Sequence, residues 1–571
     1  MFRPQRTLIF FLSLILIMAF SLPFFRGDFF LTHDYTHIAR LAEMRLALEA
    51  GHLPVHWAQN LGFGYGMPLF LFYGPLPFYL GTLATYVGFS YIGATKLLFF
   101  LSGVLAFSGM YSLLQRWGRS GALVGATLLT AAPYRALDIF IRGALNEVFA
   151  IGLLPWILRA GFAIKERKAW AVPLLAASVG ALIMTHNITA MVALPLLGLF
   201  TLIWLLINRS KTWVREVIEL AVGYIWGFLL ALWYIIPAFI EKSGTAIGSI
   251  LSGYFDYHLH FLYIRQFLFS KWGFGGSEYG PNDGMSFHLS WIAMALVGFS
   301  GFVFLWRWWS LHKLEKTSSL LLRLQVIRRR LPTQAWLIPL SGVFLAVTLF
   351  FTLERSVSLW ETLPLISFLQ FPWRLLGIAI VFLSFTAGLG ISLVTPFPRR
   401  WAVTFLAIVC VLPLTRFHAP EKYYPNADGH FTSDPIEIRG NLSSVLPDYI
   451  PSGFDQKLPQ VSPEKRIVMS SGQPITWETN KPHELIGTLS QPEVGTVTWN
   501  IADFPGWQYF VNDQEVYPEV LADGRRSFTS DQPITNVAAR FALTPLRQTT
   551  LVVSLIALIL LASTLPWRKH A

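Results

Sequence analysis

Leu375–Val394 runs for twenty residues without one charged side chain, and such a run must be buried on every side or lie across a bilayer. Thr549–Leu565 is uncharged over a similar length, and comparable apolar stretches recur along all 571 residues. About 20 helical residues cross the roughly 30 Å of hydrocarbon in a membrane. Hydrophobic residues make up 54% of the chain and charged ones only 13%, where a soluble protein carries about 25%. Mean hydropathy is +0.51. The fold class expected is an all-α polytopic membrane bundle, to which the soluble prior of one domain per roughly 150 residues does not apply.

A net charge of +12 raises the question of a nucleic-acid partner. The basic residues sit instead in short loops between apolar runs, the pattern that sets orientation in a membrane, so a lipid bilayer and no nucleic acid is expected. Cys410 is the single cysteine and lies inside an apolar span, which excludes an intramolecular disulfide.

The apolar run that ends at Phe25 is longer than a signal-peptide core of about 7–15 residues and no small-residue cleavage site follows it. It reads as an uncleaved first span (about 7–25) with the N-terminus inside. Residues 26–90 are mixed and then rich in Pro, Tyr and Phe, which fits helices lying in the outer interface. Further spans are expected at about 94–114, 120–134, 148–163, 170–185, 189–207, 217–240, 288–307, 335–352, 373–395, 401–416 and 548–566, twelve in all. Every basic cluster then falls on the inner side: Arg116/Arg119, Lys165/Arg167/Lys168, Arg209/Lys211/Arg215, Arg328–Arg330, Arg399/Arg400 and Arg568/Lys569. Both termini are expected in the cytoplasm.

Residues 417–546 change character. Alternating stretches such as Thr496–Ile501 and Gln508–Val511 are separated by turn signals at Phe504-Pro-Gly506, Asn512-Asp513 and Asp523-Gly524. The organisation expected is a core over 1–416, an extracytoplasmic β-rich domain over 417–546, and a final span with a short cytoplasmic tail over 547–571.

Ionisable residues at membrane depth are costly and mark function by default. Here they gather in the outer loops: His33-Asp34-Tyr35-Thr36-His37 with Arg40 and Glu43; Tyr134-Arg135 with Asp138, Arg142, Asn146 and Glu147; Thr185-His186-Asn187; Glu278, Asn282, Asp283 and His288; and Phe368-Leu-Gln-Phe-Pro-Trp-Arg374. Each has a plainer reading. Asp34 suits a helix cap, Asp138 and Arg142 suit an i,i+4 ion pair, and His186-Asn187 suits two helix ends that need hydrogen bonds. Arg374 beside Trp373 suits an interfacial anchor. Their agreement on one membrane face is what favours chemistry on a charged, lipid-linked substrate. No glycine-rich phosphate loop, His-Glu-x-x-His helix or Gly-x-Ser-x-Gly elbow competes. His33, Asp34 and His37 offer three ligands to a divalent metal, a sparse set that does not favour one.

At these residues the chain resembles the bacterial YfhO-like membrane proteins and a related family labelled 6-pyruvoyl-tetrahydropterin synthase-related, both of the GT-C glycosyltransferase superfamily. The resemblance rests on His33-Asp34 with Gly51-His-Leu-Pro-Val-His-Trp57, Gly62-Phe-Gly-Tyr-Gly-Met-Pro68 and Phe72-Tyr-Gly-Pro75. It continues through Ala132-Pro-Tyr-Arg135, Arg142-Gly143, Glu147, His186-Asn187 and Leu369-Gln-Phe-Pro-Trp-Arg374, then Asp448-Tyr-Ile-Pro451 and Phe504-Pro-Gly-Trp507. It implies a bacterial cell-membrane enzyme that takes sugar from a polyprenyl-phosphate carrier. Asp34 matches the catalytic position and Asp138 the place of a second acidic residue. One departure stands out: Asp34 is followed by Tyr35-Thr36, not by another acidic residue, which counts against metal dependence.

The expectation for function is therefore sugar transfer from a polyprenyl-phosphate-linked donor to an extracytoplasmic glycan, lipid or protein acceptor. Asp34 would act as general base with inversion. Asp138, Glu147 and His186 complete the expected catalytic set. Lys96, Arg135, Arg142, Asn187, Gln370 and Arg374 are expected to bind substrate, guanidinium groups being suited to phosphate. Phe70–Tyr79 would line an isoprenoid groove. Trp499 and Trp507 suit stacking on sugars, and suit core packing better. A transporter or flippase of lipid-linked saccharides is the second class, and a non-catalytic envelope scaffold the third. The one-sided polar set and the lack of an internal repeat argue against transport.

Overall fold

The computed structural model describes residues 4–314, 330–394, 397–424, 432–445 and 447–564. The expected basic residues Arg328, Arg329, Arg568 and Lys569 lie outside them. The protein is mostly helical, with one antiparallel sheet near its C-terminal end. The helices are α1 (Pro4–Ala19), α2 (His37–Glu49), α3 (Leu76–Tyr86), α4 (Tyr91–Leu114), α5 (Arg119–Ala131), α6 (Leu145–Lys165), α7 (Ala171–Thr185) and α8 (Asn187–Ile207). They continue as α9 (Trp213–Leu230), α10 (Leu232–Glu241), α11 (Trp291–Leu314), α12 (Leu337–Phe350), α13 (Leu376–Ser392), α14 (Phe397–Val411) and α15 (Pro545–Ser563).

Each expected span coincides with a helix, but they are not alike. Among the described residues nine helices are long and apolar enough to cross a membrane, or ten if a bent pair counts as one span. The bent pair is α9 and α10, at 68°. Two further apolar helices are short, α1 with 16 residues and α7 with 15. A count of twelve full spans therefore does not follow from the structure. Helices α2 and α3, of 13 and 11 residues, are too short to cross.

Helix α13 is apolar around its whole circumference, has no polar face to give to a surface, and goes to the middle. Every residue of α13 is buried. It lies so close to α5 that a side chain at Gly121 would strike the Gly388 carbonyl, the small-residue contact that lets helix backbones approach in lipid. Helix α11 does the reverse and turns Phe302, Leu305, Trp306 and Trp309 outward. At the α9–α10 break the Ser554 hydroxyl donates to the Leu229 carbonyl at 2.8 Å and accepts the Trp233 amide at 3.0 Å. Freed backbone groups at a broken helix need such partners in lipid.

Basic loops meet at one end of the bundle. Arg116 pairs with Glu166, Lys165 with Glu216 at 3.5 Å, and Arg167 donates to Thr212 Oγ1 at 2.9 Å. Helix α6 carries Lys165 at that end and Glu147 at the other, so the acidic and polar loops lie opposite.

The sheet is built from β3 (Ile467–Met469), β4 (Ile475–Lys481), β5 (Glu484–Trp499), β6 (Trp507–Val511), β7 (Gln514–Val516), β8 (Glu519–Val520) and β9 (Arg526–Phe541); β1 (Phe29–Phe30) and β2 (Tyr423–Tyr424) pair separately. The order is β3-β5-β9-β6-β7, with β4 on β5 and β8 on β9. Asn512 and Asp513 both take positive φ in the β6–β7 turn, as a tight hairpin requires. The sheet does not hang free. Trp57 meets Phe541 at 5.2 Å and Trp507 at 5.4 Å, and the Ala502 amide donates to the Tyr65 carbonyl at 3.0 Å. Trp499 and Trp507 are thus core residues and not stacking platforms.

Candidate active site

The segment after β1 runs beside the turn that follows α5. The His33 amide donates to the Ile141 carbonyl and the Asp34 amide to the Arg142 carbonyl, both at 2.8 Å. Gly143, at φ +68°, allows this approach: a side chain there would come within 2.4 Å of the Asp34 carbonyl oxygen and 2.5 Å of Thr32 Oγ1. The first two outer loops are therefore one structural unit.

Asp34 is not the cap of α2. That helix begins at His37, and no side chain caps it. Asp34 instead accepts from the Thr36 hydroxyl at 2.8 Å and from Arg40 Nη1 at 3.1 Å on Oδ2. Its side chain keeps 32% of its surface accessible, whereas Arg40 is buried. Burial alone would raise the Asp34 carboxyl, but Arg40 and then His37 outweigh it and hold it well below the usual carboxylate range. His37 Nε2 donates to the Gly143 carbonyl and Nδ1 accepts from Arg40 at 3.2 Å. Burial lowers His37 below its ordinary value. Arg40 also donates to the Tyr73 hydroxyl at 3.1 Å and lies 4.2 Å over its ring.

A second charged group is centred on Glu147. Its Oε1 accepts from the Tyr134 hydroxyl at 2.7 Å and its Oε2 from Arg142 Nη1 at 2.8 Å, with Arg374 Nε at 3.5 Å. Arg142 also pairs with Asp138, four residues back, and packs 4.5 Å from the Trp373 ring centre. The Asp138–Arg142 stretch is wound as a π-turn, a form that recurs at functional sites. Arg374 donates to Gln370 Oε1 at 2.7 Å and to the Leu369 carbonyl at 3.0 Å. Among the described residues Asp138 Oδ2 and Asn146 Oδ1 are buried without a hydrogen-bond partner.

Asp138, Glu147, Arg142, Gln370 and Arg374 are therefore brought together, and Asp34 is tied to them through backbone. The remaining expected residues do other work. Lys96 Nζ donates to the carbonyls of Arg26, Gly27 and Asp28, clamping the loop before β1. Arg135 is directed at Ser102 Oγ (2.9 Å) and the Thr130 carbonyl (3.2 Å). His186 Nδ1 accepts from the Thr189 amide as the cap of α8 while its ring also lies in the field of Glu147, Arg374 and Arg142, and Asn187 Oδ1 accepts the Ile188 amide. Glu278, Asn282, Asp283 and His288 bond locally or to Arg265 and Gln266, and that loop reaches the site through Phe274, which accepts from His33, Ser277, which accepts from Trp373, and Phe287, whose ring packs on Trp373 at 5.4 Å. Tyr134 was noted with the second polar loop and Tyr73 within the groove stretch Phe70–Tyr79, but neither was given a catalytic or binding role. Both are aromatic residues near a span end, where the sequence pattern of an interfacial belt hides them.

The three possible metal ligands, which the sequence did not favour as a metal site, do not converge. His33 Nε2 bonds the Phe274 carbonyl and His37 Nε2 the Gly143 carbonyl. Among the described residues no three His, Cys, Asp or Glu side chains are placed to hold a metal ion.

Beside Glu147 and Arg374 a narrow cleft is lined also by Thr189, Val192 and Leu375. Val192 and Leu375 are shared with an apolar cavity of about 300 Å³ between α8, α12 and the segment 363–366. Of Phe70–Tyr79, expected to line such a groove, Phe70, Leu71 and Phe72 are buried, with Phe72 against Phe504 and Tyr449.

No family model matches the chain. An uncharacterized protein of Lactococcus lactis subsp. cremoris is 25% identical over 201 residues, 34% of this chain and 32% of that protein. This chain is also similar to the arabinofuranosyltransferase AftD from Mycobacteria (TM-score 0.46, 15% identity, 75% of this chain and 28% of that one). Cupriavidus metallidurans ArnT gives 0.38 and 15%, covering 71% of this chain and 62% of that one. The Archaeoglobus fulgidus oligosaccharyltransferase AglB, solved with an inhibitory peptide and a dolichol-phosphate, gives 0.41 and 11%, covering 80% and 62%. The chain thus spans about a third of its sequence relative and less of AftD.

Proposed function

We propose that this chain is a membrane glycosyltransferase that moves a sugar from a polyprenyl-phosphate-linked donor to an extracytoplasmic acceptor. The observation that carries the reading is the placement of two arginines, Arg142 and Arg374, on a shared carboxylate beside an apolar cavity, with Asp34 hydrogen-bonded through its backbone to Arg142. A lipid-linked phosphate needs such a boundary between cations and hydrocarbon. Two guanidinium groups already sharing one carboxylate retain donors for a phosphate.

In this reading the acceptor hydroxyl attacks the anomeric carbon and gives its proton to the Asp34 carboxylate. The bond from the anomeric carbon to the phosphate oxygen breaks, its electron pair leaves with the polyprenyl phosphate, and the anomeric centre inverts. Arg142 and Arg374 stabilise the charge that develops on the leaving phosphate. A phosphate that draws Arg40 away from Asp34 raises the basicity of that carboxylate when it is needed. Asp138 and Glu147 hold the arginines, and Gln370 fixes Arg374. No step requires a metal. The setting is the bacterial cytoplasmic membrane, with residues 417–546 outside and both termini inside.

The test is transfer of labelled sugar from a panel of polyprenyl-phosphate sugars, using membranes that hold wild-type or Asp34→Asn protein at equal folded amount. Transfer by wild type alone supports the reading. No transfer by either across the panel overturns it.

A further inference from the structure

Two aromatic rings stand behind the two arginines that share Glu147. Phe371 and Trp373 stack on each other at 4.7 Å in the turn before α13. The Trp373 ring carries the Arg142 guanidinium at 4.5 Å, and the Phe371 ring carries that of Arg374 at 5.0 Å. The face of an aromatic ring attracts a cation, so where each ring sits helps to fix where its arginine sits.

Both rings are braced from the loop between α10 and α11. Trp373 Nε1 donates to Ser277 Oγ at 3.1 Å, and that hydroxyl pairs with His260 Nδ1 at 3.0 Å. His260 Nε2 bonds the Tyr254 carbonyl at 2.5 Å, and the same imidazole meets the Phe371 ring edge-on at 4.6 Å. Trp373, Ser277 and His260 are all buried. An indole N–H only donates, so Ser277 accepts from it and has its own proton left to give. The Tyr254 carbonyl requires a proton on Nε2, which in the uncharged imidazole leaves Nδ1 to accept from Ser277. Asp283, the other acceptor beside this hydroxyl, is already engaged by Gln266 Nε2 at 2.5 Å and by the Glu278 amide at 2.8 Å. Each bond in such a chain polarises the next. An indole whose N–H is drawn to a donating hydroxyl keeps more electron density on the face that Arg142 uses.

We propose that Ser277 and His260 are positioning residues for sugar transfer: through the Phe371–Trp373 stack they hold Arg142 and Arg374 where charge develops on the leaving phosphate. This rests on the glycosyltransferase reading above. Neither residue touches the substrate. The segments that flank the membrane helices supply the cations, and the α10–α11 loop sets where they stand.

The experiment measures kcat and KM for a polyprenyl-phosphate sugar, with purified full-length protein in detergent. Ser277→Ala removes the acceptor of the Trp373 N–H. Trp373→Phe removes the N–H itself and keeps an aromatic ring beside Arg142. Each should lower kcat about tenfold or more, the effect of one lost hydrogen bond, with KM little changed, since the arginines act on charge that appears in the transition state. The double variant should fall no further than Trp373→Phe alone, because both substitutions remove the same bond. Unchanged kcat in folded Ser277→Ala, even with a lowered unfolding temperature, overturns the role of Ser277 and leaves the glycosyltransferase reading standing. So do losses that multiply in the double variant. Where Ser277→Ala does not fold, His260→Gln carries the test: a lowered kcat at constant KM supports the brace, and an unaltered kcat overturns it. No transfer by wild type across a panel of donors overturns both readings.

Discussion

The Asp34 amide donates to the Arg142 carbonyl at 2.8 Å, so the carboxylate of the first outer loop is held by the backbone of the second. Gly143 permits that bond. Gly143→Ala forces a side chain into a positive-φ position, at about 1–2 kcal/mol, and against the Asp34 carbonyl oxygen. The expected outcome is a folded protein with Asp34 displaced and transfer reduced about 100-fold. Rate and far-ultraviolet dichroism, measured together, check it; unchanged transfer shows that the loop tolerates the shift.

Asp34 is ionised because Arg40 and His37 overcome the effect of burial. Its folded value is depressed, so the stabilisation is fully present above the unfolded value of about 3.9 and is lost only as pH falls through the folded one. Transfer by wild type should therefore show no acid limb from Asp34 between pH 7 and pH 5. Arg40→Gln removes the largest favourable charge and leaves burial to raise the carboxyl. An acid limb should then enter the profile; identical profiles would mean that Arg40 does not set the ionisation of Asp34.

Glu147 is buried, and it neutralises Arg142 and Arg374. Glu147→Gln leaves two guanidinium groups short of a counter-charge, and breaking such a buried pair costs about 3–5 kcal/mol. Thermal unfolding in detergent should show the loss. Adding Arg374→Gln to Glu147→Gln should restore part of it, since the residues share one network.

His52 and His56 are buried where the sheet meets the loop after α2, with His52 stacked on His483 at 4.8 Å. Burial, then His483 and Arg547, hold His52 down to about 3; burial, then Arg547 and His52, hold His56 well below its ordinary value. A depressed histidine contributes stability fully above the unfolded value near 6.5 and loses it as pH falls toward the folded one. Each costs about 1.4 kcal/mol per pH unit below roughly pH 6.5. The unfolding temperature should fall between pH 7 and pH 5, and His52→Gln should flatten that slope. A slope unaltered by the substitution would remove His52 from the account.

The helices were legible in the sequence because an apolar run is a local property, and α13 shows it most plainly. The Asp138–Arg142 ion pair was legible too, since a spacing of four implies it. The targets of Lys96 and Arg135 were not. A cation near the outer end of a span looks the same whether it faces a substrate or closes a loop, and the π-turn after Leu137 changes the facing of residues that an even helical spacing would group. Tyr73 and Tyr449 were hidden for a different reason. Their meeting joins segments far apart in the chain, and no local pattern records it.

The three contacts on Glu147 come from two stretches of chain, Tyr134 and Arg142 from the segment after α5 and Arg374 from the turn before α13. Exchanging Glu147 alone takes from Tyr134, Arg142 and Arg374 the acceptor that they share. Across the descendants of this gene the four positions should be inherited as a block, drifting together or not at all.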